Sequence, residues 1–134
     1  LNHWLKIGKT SGAKLPKIFF VNWFRRSAEG KFLWPGFGDN CRVLKWIFER
    51  VEGSGKSVES PIGRLPTTDA IDTSGLTISK ETMQELLRVD ADGWAQEVEG
   101  VKAHFAKLGE RLPHELQDEL ASLEKRLANQ HAVL

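Results

Sequence analysis

Between Phe19 and Phe48 this chain concentrates nine of its twelve aromatic residues, and the turn Pro35-Gly36-Phe37-Gly38 lies in their midst. Proline fixes one backbone torsion, and glycine admits torsions closed to other residues. Rings carried on such a backbone can build a slot for a flat ligand. Base–aromatic stacking contributes roughly 1–3 kcal/mol per base, and the Asp39-Asn40 pair behind the turn supplies an amide that can read a ligand's edge. The alternative is that Phe24, Phe32 and Phe37 simply fill a core, and at this point the residues leave both open.

With 134 residues, 40% of them apolar and 28% charged, the chain has room for one ordinary domain with a core and is not of disordered composition. The sequence carries no apolar run of the roughly 20 residues needed to span a bilayer, so no membrane association is expected. Leu1-Asn2-His3-Trp4 lacks the features of a cleavable signal, and a first residue other than Met suggests a processed chain or a fragment. A single cysteine, Cys41, excludes an internal disulfide and suits a reducing compartment, so a cytoplasmic location is expected.

The net charge of +1 is unevenly spread. Residues 1–56 carry eleven Lys/Arg against four Asp/Glu, whereas residues 57–134 carry eight against fourteen. A basic aromatic half suits an anionic ligand such as a nucleotide. The acidic half reads as a solvated helical face.

Asn2 to Lys9 predicts the end of a helix, and Lys17 to Trp23 has the β-branched and aromatic character of a buried strand. A turn at Ser27-Ala28-Glu29-Gly30 would return Lys31 to Trp34 as a second strand. Asp39 or Asn40 caps a helix from about Cys41 to Glu52, with Gly53 as its stop. Val43, Leu44, Ile47, Phe48 and Val51 share the face expected to be core. Trp46 falls outside it and is expected to pack on something beyond this helix's own core. Gly53 to Ser60 reads as a flexible link, Pro61 to Pro66 as extended, Thr67 to Gly75 as turn or short helix, and Ser79 as the cap of a helix to about Leu87.

In the last third, Trp94, Val98, Val101, Phe105 and Leu108 form one apolar stripe, and Leu116, Leu120, Leu123 and Leu127 another. Two amphipathic helices joined by about four residues, with Pro113 opening the second, predict an αα-hairpin.

Gly53-Ser54-Gly55-Lys56-Ser57 looks like the end of a phosphate-binding loop, but Arg50 stands where the pattern needs glycine, and a helix rather than a strand precedes it. His3, His104, His114 and His131 have no metal-ligand spacing with one another or with Cys41, which reads as a small packing residue. No catalytic constellation is legible; the residues describe a binding surface.

Leu15-Pro16-Lys17-Ile18-Phe19-Phe20-Val21-Asn22-Trp23-Phe24-Arg25 and Gly30-Lys31-Phe32-Leu33-Trp34-Pro35-Gly36-Phe37-Gly38-Asp39-Asn40 closely resemble the C-terminal part of the GTP-dependent phosphoenolpyruvate carboxykinases. So do Arg42-Val43-Leu44-Lys45-Trp46 and Pro61-Ile62-Gly63, and the resemblance extends from about Leu1 to Asn129. It implies that guanine sits among Phe24, Phe32 and Phe37, that the loop Phe37-Gly38-Asp39-Asn40 approaches the base, and that Asn40 hydrogen-bonds its edge. Asp39 stands where the family usually has glutamate, and Cys41 where it has serine.

The resemblance further implies a lyase of gluconeogenesis that converts oxaloacetate and GTP to phosphoenolpyruvate, GDP and carbon dioxide, with a divalent metal, usually manganese. The metal ligands, kinase loop, substrate arginines and lid of that family lie upstream of Leu1. The chain is then a single C-terminal piece, residues 1–134, of a larger α/β nucleotide-binding domain, inactive by itself. Its expected partners are GTP or GDP and the upstream part of the same enzyme. The expected fold is α+β: a short β-hairpin and aromatic loop, then a mainly helical half ending in the αα-hairpin. A piece cut from a large domain leaves apolar surface exposed, so self-association is expected. A free-standing module that stacks nucleic-acid bases is the alternative; the near-neutral total charge argues against it. A helical interaction module is a third, weakened because each stripe of the αα-hairpin can bury the other.

Overall fold

In a computed structural model that describes the backbone of residues 1–131 and the side chains of residues 1–129, the contacts group the chain into two units. Residues 132–134 of the expected 1–134 piece, and the side chain of His131, lie outside the described residues. One unit comprises Leu1–Pro16 and Val89–Leu134, the other Lys17–Arg88. The compositional boundary after Lys56 falls inside the second unit.

The first unit holds α1 (Asn2–Gly8), α4 (Ala91–Ala106) and α5 (His114–His131). Asp90 caps α4, its Oδ1 accepting the Gly93 N–H at 3.1 Å. The αα-hairpin forms as the stripes predict, with Val98 and Leu127 buried between its helices' apolar faces. Its connection, Lys107 to Pro113, is longer than the four residues expected because a 3-10 turn at Gly109–Arg111 is interposed. Pro113 is buried and immediately precedes α5. Lys102 bridges the pair, 2.9 Å from Glu99 on its own helix and 2.5 Å from Glu124 on α5.

In the second unit, α2 (Asn40–Glu52) is followed by β1 (Ser57–Ser60), β2 (Gly63–Pro66) and α3 (Lys80–Leu87). Gly53 ends α2 in the left-handed conformation, φ 93°, which side-chain-bearing residues rarely adopt. Ser79 caps α3 as anticipated, its Oγ accepting the Thr82 N–H at 3.1 Å.

Trp34, Trp46, Ile71 and Met83 form the core of this unit, with Phe19, Trp23, Val43 and Ile47 packed around them. The expectation for α2 is thereby corrected. Trp46 is buried on the helix's own inner face, its Nε1 donating to the Lys56 carbonyl at 2.8 Å, while Leu44, Phe48 and Val51 are exposed. The helix is apolar on two faces. The indole wins the core because it is larger and because its one polar atom finds an acceptor in the turn after Gly53.

Two other expectations are also corrected. Lys17 to Asn22 forms no strand and Trp23 lies in a turn; Ile18 and Phe20 project into solvent, each 93% exposed, while Phe19 and Val21 are half-buried. The alternation of a strand is present, and the hydrogen-bonding partner is not. Lys31 to Trp34 contributes only one antiparallel bridge, Arg26 to Phe32, rather than a strand. The regular hairpin is β1–β2, with Ser57 opposite Pro66 and Ser60 opposite Gly63, in the stretch that reads as a flexible link followed by an extended segment. Far from a free linker, Gly53 to Lys56 is a tight turn: the Ser54 and Gly55 amides both donate to the Glu49 carbonyl, and the Arg50 guanidinium donates to the carbonyl of the buried Gly55 at 2.9 Å. A helix before it and a strand after it are the reverse of a phosphate-binding loop.

Lys56 and Asp69 flank this hairpin and meet at 2.6 Å, and Thr67 Oγ1 also donates to Asp69 at 2.6 Å. The Lys56 and Thr67 hydrogen bonds lower the Asp69 pKa from 3.8 to about 2. A depressed folded-state pKa stabilises the fold above the unfolded value and loses that contribution as pH falls through the folded one. The midpoint of thermal unfolding should therefore fall as pH drops from about 4 to about 2, and Asp69→Asn should flatten that part of the profile. An unchanged profile in the variant would show that the contact adds nothing to stability.

Candidate functional site

The aromatic run folds into a turn and a loop that present rings outward. Asn22 initiates the turn, its Oδ1 accepting the Phe24 N–H at 2.9 Å. Ser27 and Lys31 close it, amide to carbonyl at 2.8 Å, and the Leu33 N–H donates to the Arg25 carbonyl at 3.0 Å. This brings Phe24 and Phe32 together, with ring centroids 6.3 Å apart and planes inclined by 60°. Phe24 is 72% and Phe32 53% exposed.

Phe37 opens a 3-10 turn, Phe37–Asp39, that leads directly into α2. The residue before it, Gly36, has φ 105° and ψ −147°, a conformation essentially reserved to glycine. That backbone turns Phe37 out of the fold, and its ring is 98% exposed. Thus none of the three rings belongs to the core of this chain. Hydrophobic side chains left this open on a rigid backbone are poor for stability and suited to contact with something else.

Asp39 and Asn40 sit behind the ring. Arg42 Nε lies 3.1 Å from Asp39 Oδ1, so the carboxylate beside the loop is paired rather than free. The same guanidinium donates to the Asp72 carbonyl at 2.8 Å, tying the start of α2 to the segment after the hairpin. Asn40 is half-buried, and its Oδ1 accepts from Trp34 Nε1 at 2.9 Å. Gly38 does not have a positive φ, and a methyl group at its α-carbon would meet no atom within 4 Å, so nothing within the chain demands glycine there. Cys41, expected to be a packing residue, is exposed instead, its Sγ donating to the Gly38 carbonyl at 3.1 Å.

Three contacts around the aromatic loop escape the sequence. Arg26 lies over the Phe32 ring, 4.0 Å from its centroid, and is held there by the Gly30 carbonyl at 2.8 Å. Arg25 donates to the Leu86 and Arg88 carbonyls at 3.2 and 2.9 Å and meets Glu85 at 3.2 Å, anchoring the aromatic turn to the end of α3. Glu85 has a lowered pKa, first through its hydrogen bond from Arg88, with both Arg88 and Arg25 adding charge attraction. Trp34 donates its indole N–H to Asn40. Its position between Leu33 and Pro35 carries no signal for that role, since the indole partner is known only once the loop has folded.

Among the described residues no three His, Cys, Asp or Glu side chains converge to hold a metal ion, and no helix is long and apolar enough to cross a membrane. A groove of about 390 Å³ between α4 and α5 is lined by residues of the first unit, among them Phe105, Leu112 and Leu120. It contains none of the rings described above.

A sequence model of the family described as "Phosphoenolpyruvate carboxykinase C-terminal P-loop domain" matches residues 1–126. Proteins named phosphoenolpyruvate carboxykinase [GTP] are similar to nearly the whole chain. That of Paenarthrobacter aurescens (strain TC1) is 52% identical over 128 residues, covering 95% of this chain and 21% of the relative. That of Treponema pallidum (strain Nichols) is 50% identical over 128 residues, covering 94% and 21%. The protein of Thermoplasma volcanium is 46% identical over 125 residues, covering 93% and 20%. The chain spans about a fifth of the length of these relatives.

Because Phe37 is open to solvent and Trp34 is buried, their truncations should separate cleanly. Phe37→Ala should change unfolding free energy by no more than about 0.5 kcal/mol, whereas Trp34→Ala should cost roughly 3–5 kcal/mol. Denaturant unfolding followed by circular dichroism measures both. A loss of comparable size from Phe37→Ala would make that ring a core element.

Proposed function

The chain belongs to the GTP-dependent phosphoenolpyruvate carboxykinase family, and we propose that it supplies the guanine-binding pocket of such an enzyme. The observation that supports this is the exposure of Phe24, Phe32 and Phe37, the first two rings paired with each other and the third three residues before the Asn40 amide in the chain. Rings that contribute nothing to the core are free to stack on a flat base. The amide reads the base edge, and Gly38 and Asp39 form the backbone that the base approaches. The open space at Gly38, with no demand for glycine from the chain itself, fits close approach of a ligand.

The parent enzyme is a lyase of gluconeogenesis. It decarboxylates oxaloacetate and transfers the γ-phosphoryl group of GTP, giving phosphoenolpyruvate, GDP and carbon dioxide. Manganese is its metal, held by residues in the remainder of the enzyme. The phosphate-binding loop also belongs to that remainder. Residues 1–134 act as one C-terminal piece of the nucleotide-binding domain, without turnover of their own, in a cytoplasmic enzyme. GTP and GDP are its ligands, and the rest of the same enzyme is its structural partner.

The pocket is tested in the full-length enzyme carrying this segment. Phe37→Ala should raise the Michaelis constant for GTP by about tenfold or more, the loss of one ring-on-base stack, with little change in that for oxaloacetate. An unchanged GTP constant would remove the ring from the site.

Ile18, Phe20, Leu44, Phe48 and Val51 form the apolar surface that the rest of the enzyme covers in this reading. Detached from it, the chain should self-associate. Light scattering should give a mass rising with concentration above the 15.1 kDa of one chain. A constant monomer mass would rule self-association out.

A further inference from the structure

We propose that Trp34 sets the base preference of the pocket by fixing which end of the Asn40 amide meets the ligand. The inference rests on the guanine-pocket reading and adds to it a residue that touches no ligand. An asparagine side chain is ambidextrous. Its carbonyl oxygen accepts hydrogen bonds and its NH2 donates them, and a half-turn about the terminal bond exchanges the two. A free Asn40 would therefore pair with either a carbonyl or an amino group on a base edge.

Trp34 removes that freedom. The indole N–H is a donor only, so the Asn40 atom 2.9 Å from it is the carbonyl oxygen. The indole cannot move to accommodate the opposite amide orientation, because Trp34 is 6% exposed and packed with Trp46, Ile71 and Met83. With Oδ1 engaged, the hydrogen-bonding group left to the amide is its NH2. Among the described residues no acceptor is hydrogen-bonded to that nitrogen. Asn40 follows directly on the Phe37–Asp39 turn, so in the guanine-pocket reading this donor is the one that meets the edge of a base stacked on Phe37.

A fixed donor selects a purine by what its six-position carries. Guanine and hypoxanthine present a carbonyl oxygen there, which accepts. Adenine presents an amino group, which sets donor against donor and leaves both unpaired. One such matched bond against one mismatch is worth about tenfold or more in discrimination. Trp34 is thus a positioning residue with two tasks: its ring fills the core, and its N–H decides the polarity of the site.

The test uses the full-length enzyme carrying this segment and compares GTP, ITP and ATP. Trp34→Phe retains an aromatic ring and deletes the N–H. It should lower the GTP-over-ATP ratio of kcat/KM by about tenfold, acting through KM and leaving kcat at saturating GTP near its original value, with ITP following GTP. Asn40→Asp keeps an oxygen for Trp34 and replaces the donor by a second acceptor, so it should move the same ratio further toward ATP. Equal losses for GTP, ITP and ATP in Trp34→Phe would make the indole a packing residue only and overturn the proposal while leaving the pocket intact. If Trp34→Phe does not fold, Asn40→Asp decides, and an unaltered GTP-over-ATP ratio in that variant overturns the proposal. Absence of any GTP preference in the unaltered enzyme would instead defeat the guanine-pocket reading itself, and this inference with it.

Discussion

The shared burial of Trp34 and Trp46 holds the candidate site in place, since these two indoles join the aromatic loop, α2 and the segments around Ile71 and Met83 in one core. Each also commits its single polar atom to a structural task. Trp46 donates to the Lys56 carbonyl and fastens the turn that follows α2, and Trp34 donates to Asn40 and fastens the amide that begins it. A buried indole needs such a partner. Both ends of α2 are therefore tied to the same core, and the loop in front of the helix inherits its rigidity. Arg42 reinforces this by holding Asp39 and the Asp72 carbonyl together.

On that rigid base the phenylalanines stand out as groups that the core does not use. Phe24, Phe32 and Phe37 expose more than half of their surfaces, and Gly36 adopts a backbone that turns Phe37 away from the core. The exposed stripe on α2 is open in the same sense, and Ile18 and Phe20 are the outward residues of a segment that forms no strand. Two kinds of unmet demand are thus present in one unit. In the proposed reading the exposed rings take a flat ligand. The aliphatic and aromatic stripe suits further protein, consistent with relatives about five times the length of this chain.

Local chemistry makes much of the chain legible from its residues. Gly53 as the stop of α2, Ser79 as the cap of α3 and the leucine spacing of α5 each rest on interactions within a few positions, and all are observed. The elements that differ from expectation depend on partners distant in sequence. The extended character of Lys17 to Trp23 is plain in its β-branched and aromatic residues, but pairing requires a neighbour that composition cannot supply. Trp46 cannot be placed on the inner side of α2 from spacing, because the helix has two apolar faces and only the Lys56 carbonyl breaks the tie. Among the site residues, the run from Phe24 to Asn40 is visible as an aromatic–glycine–amide pattern. Arg26 over Phe32 and Trp34 on Asn40 are not, because each is a contact made by a folded loop rather than a spacing.

Recognition of a guanine base by the rings and the amide is what the other functional statements depend on. Calorimetric titration of the full-length enzyme with guanosine and with adenosine isolates that step, because neither nucleoside carries the phosphates that other parts of the enzyme would bind. Guanosine should bind, be displaced by GTP, and outcompete adenosine. Equal affinity for the two nucleosides, or GTP binding that guanosine cannot displace, would contradict a guanine pocket built from Phe24, Phe32, Phe37 and Asn40.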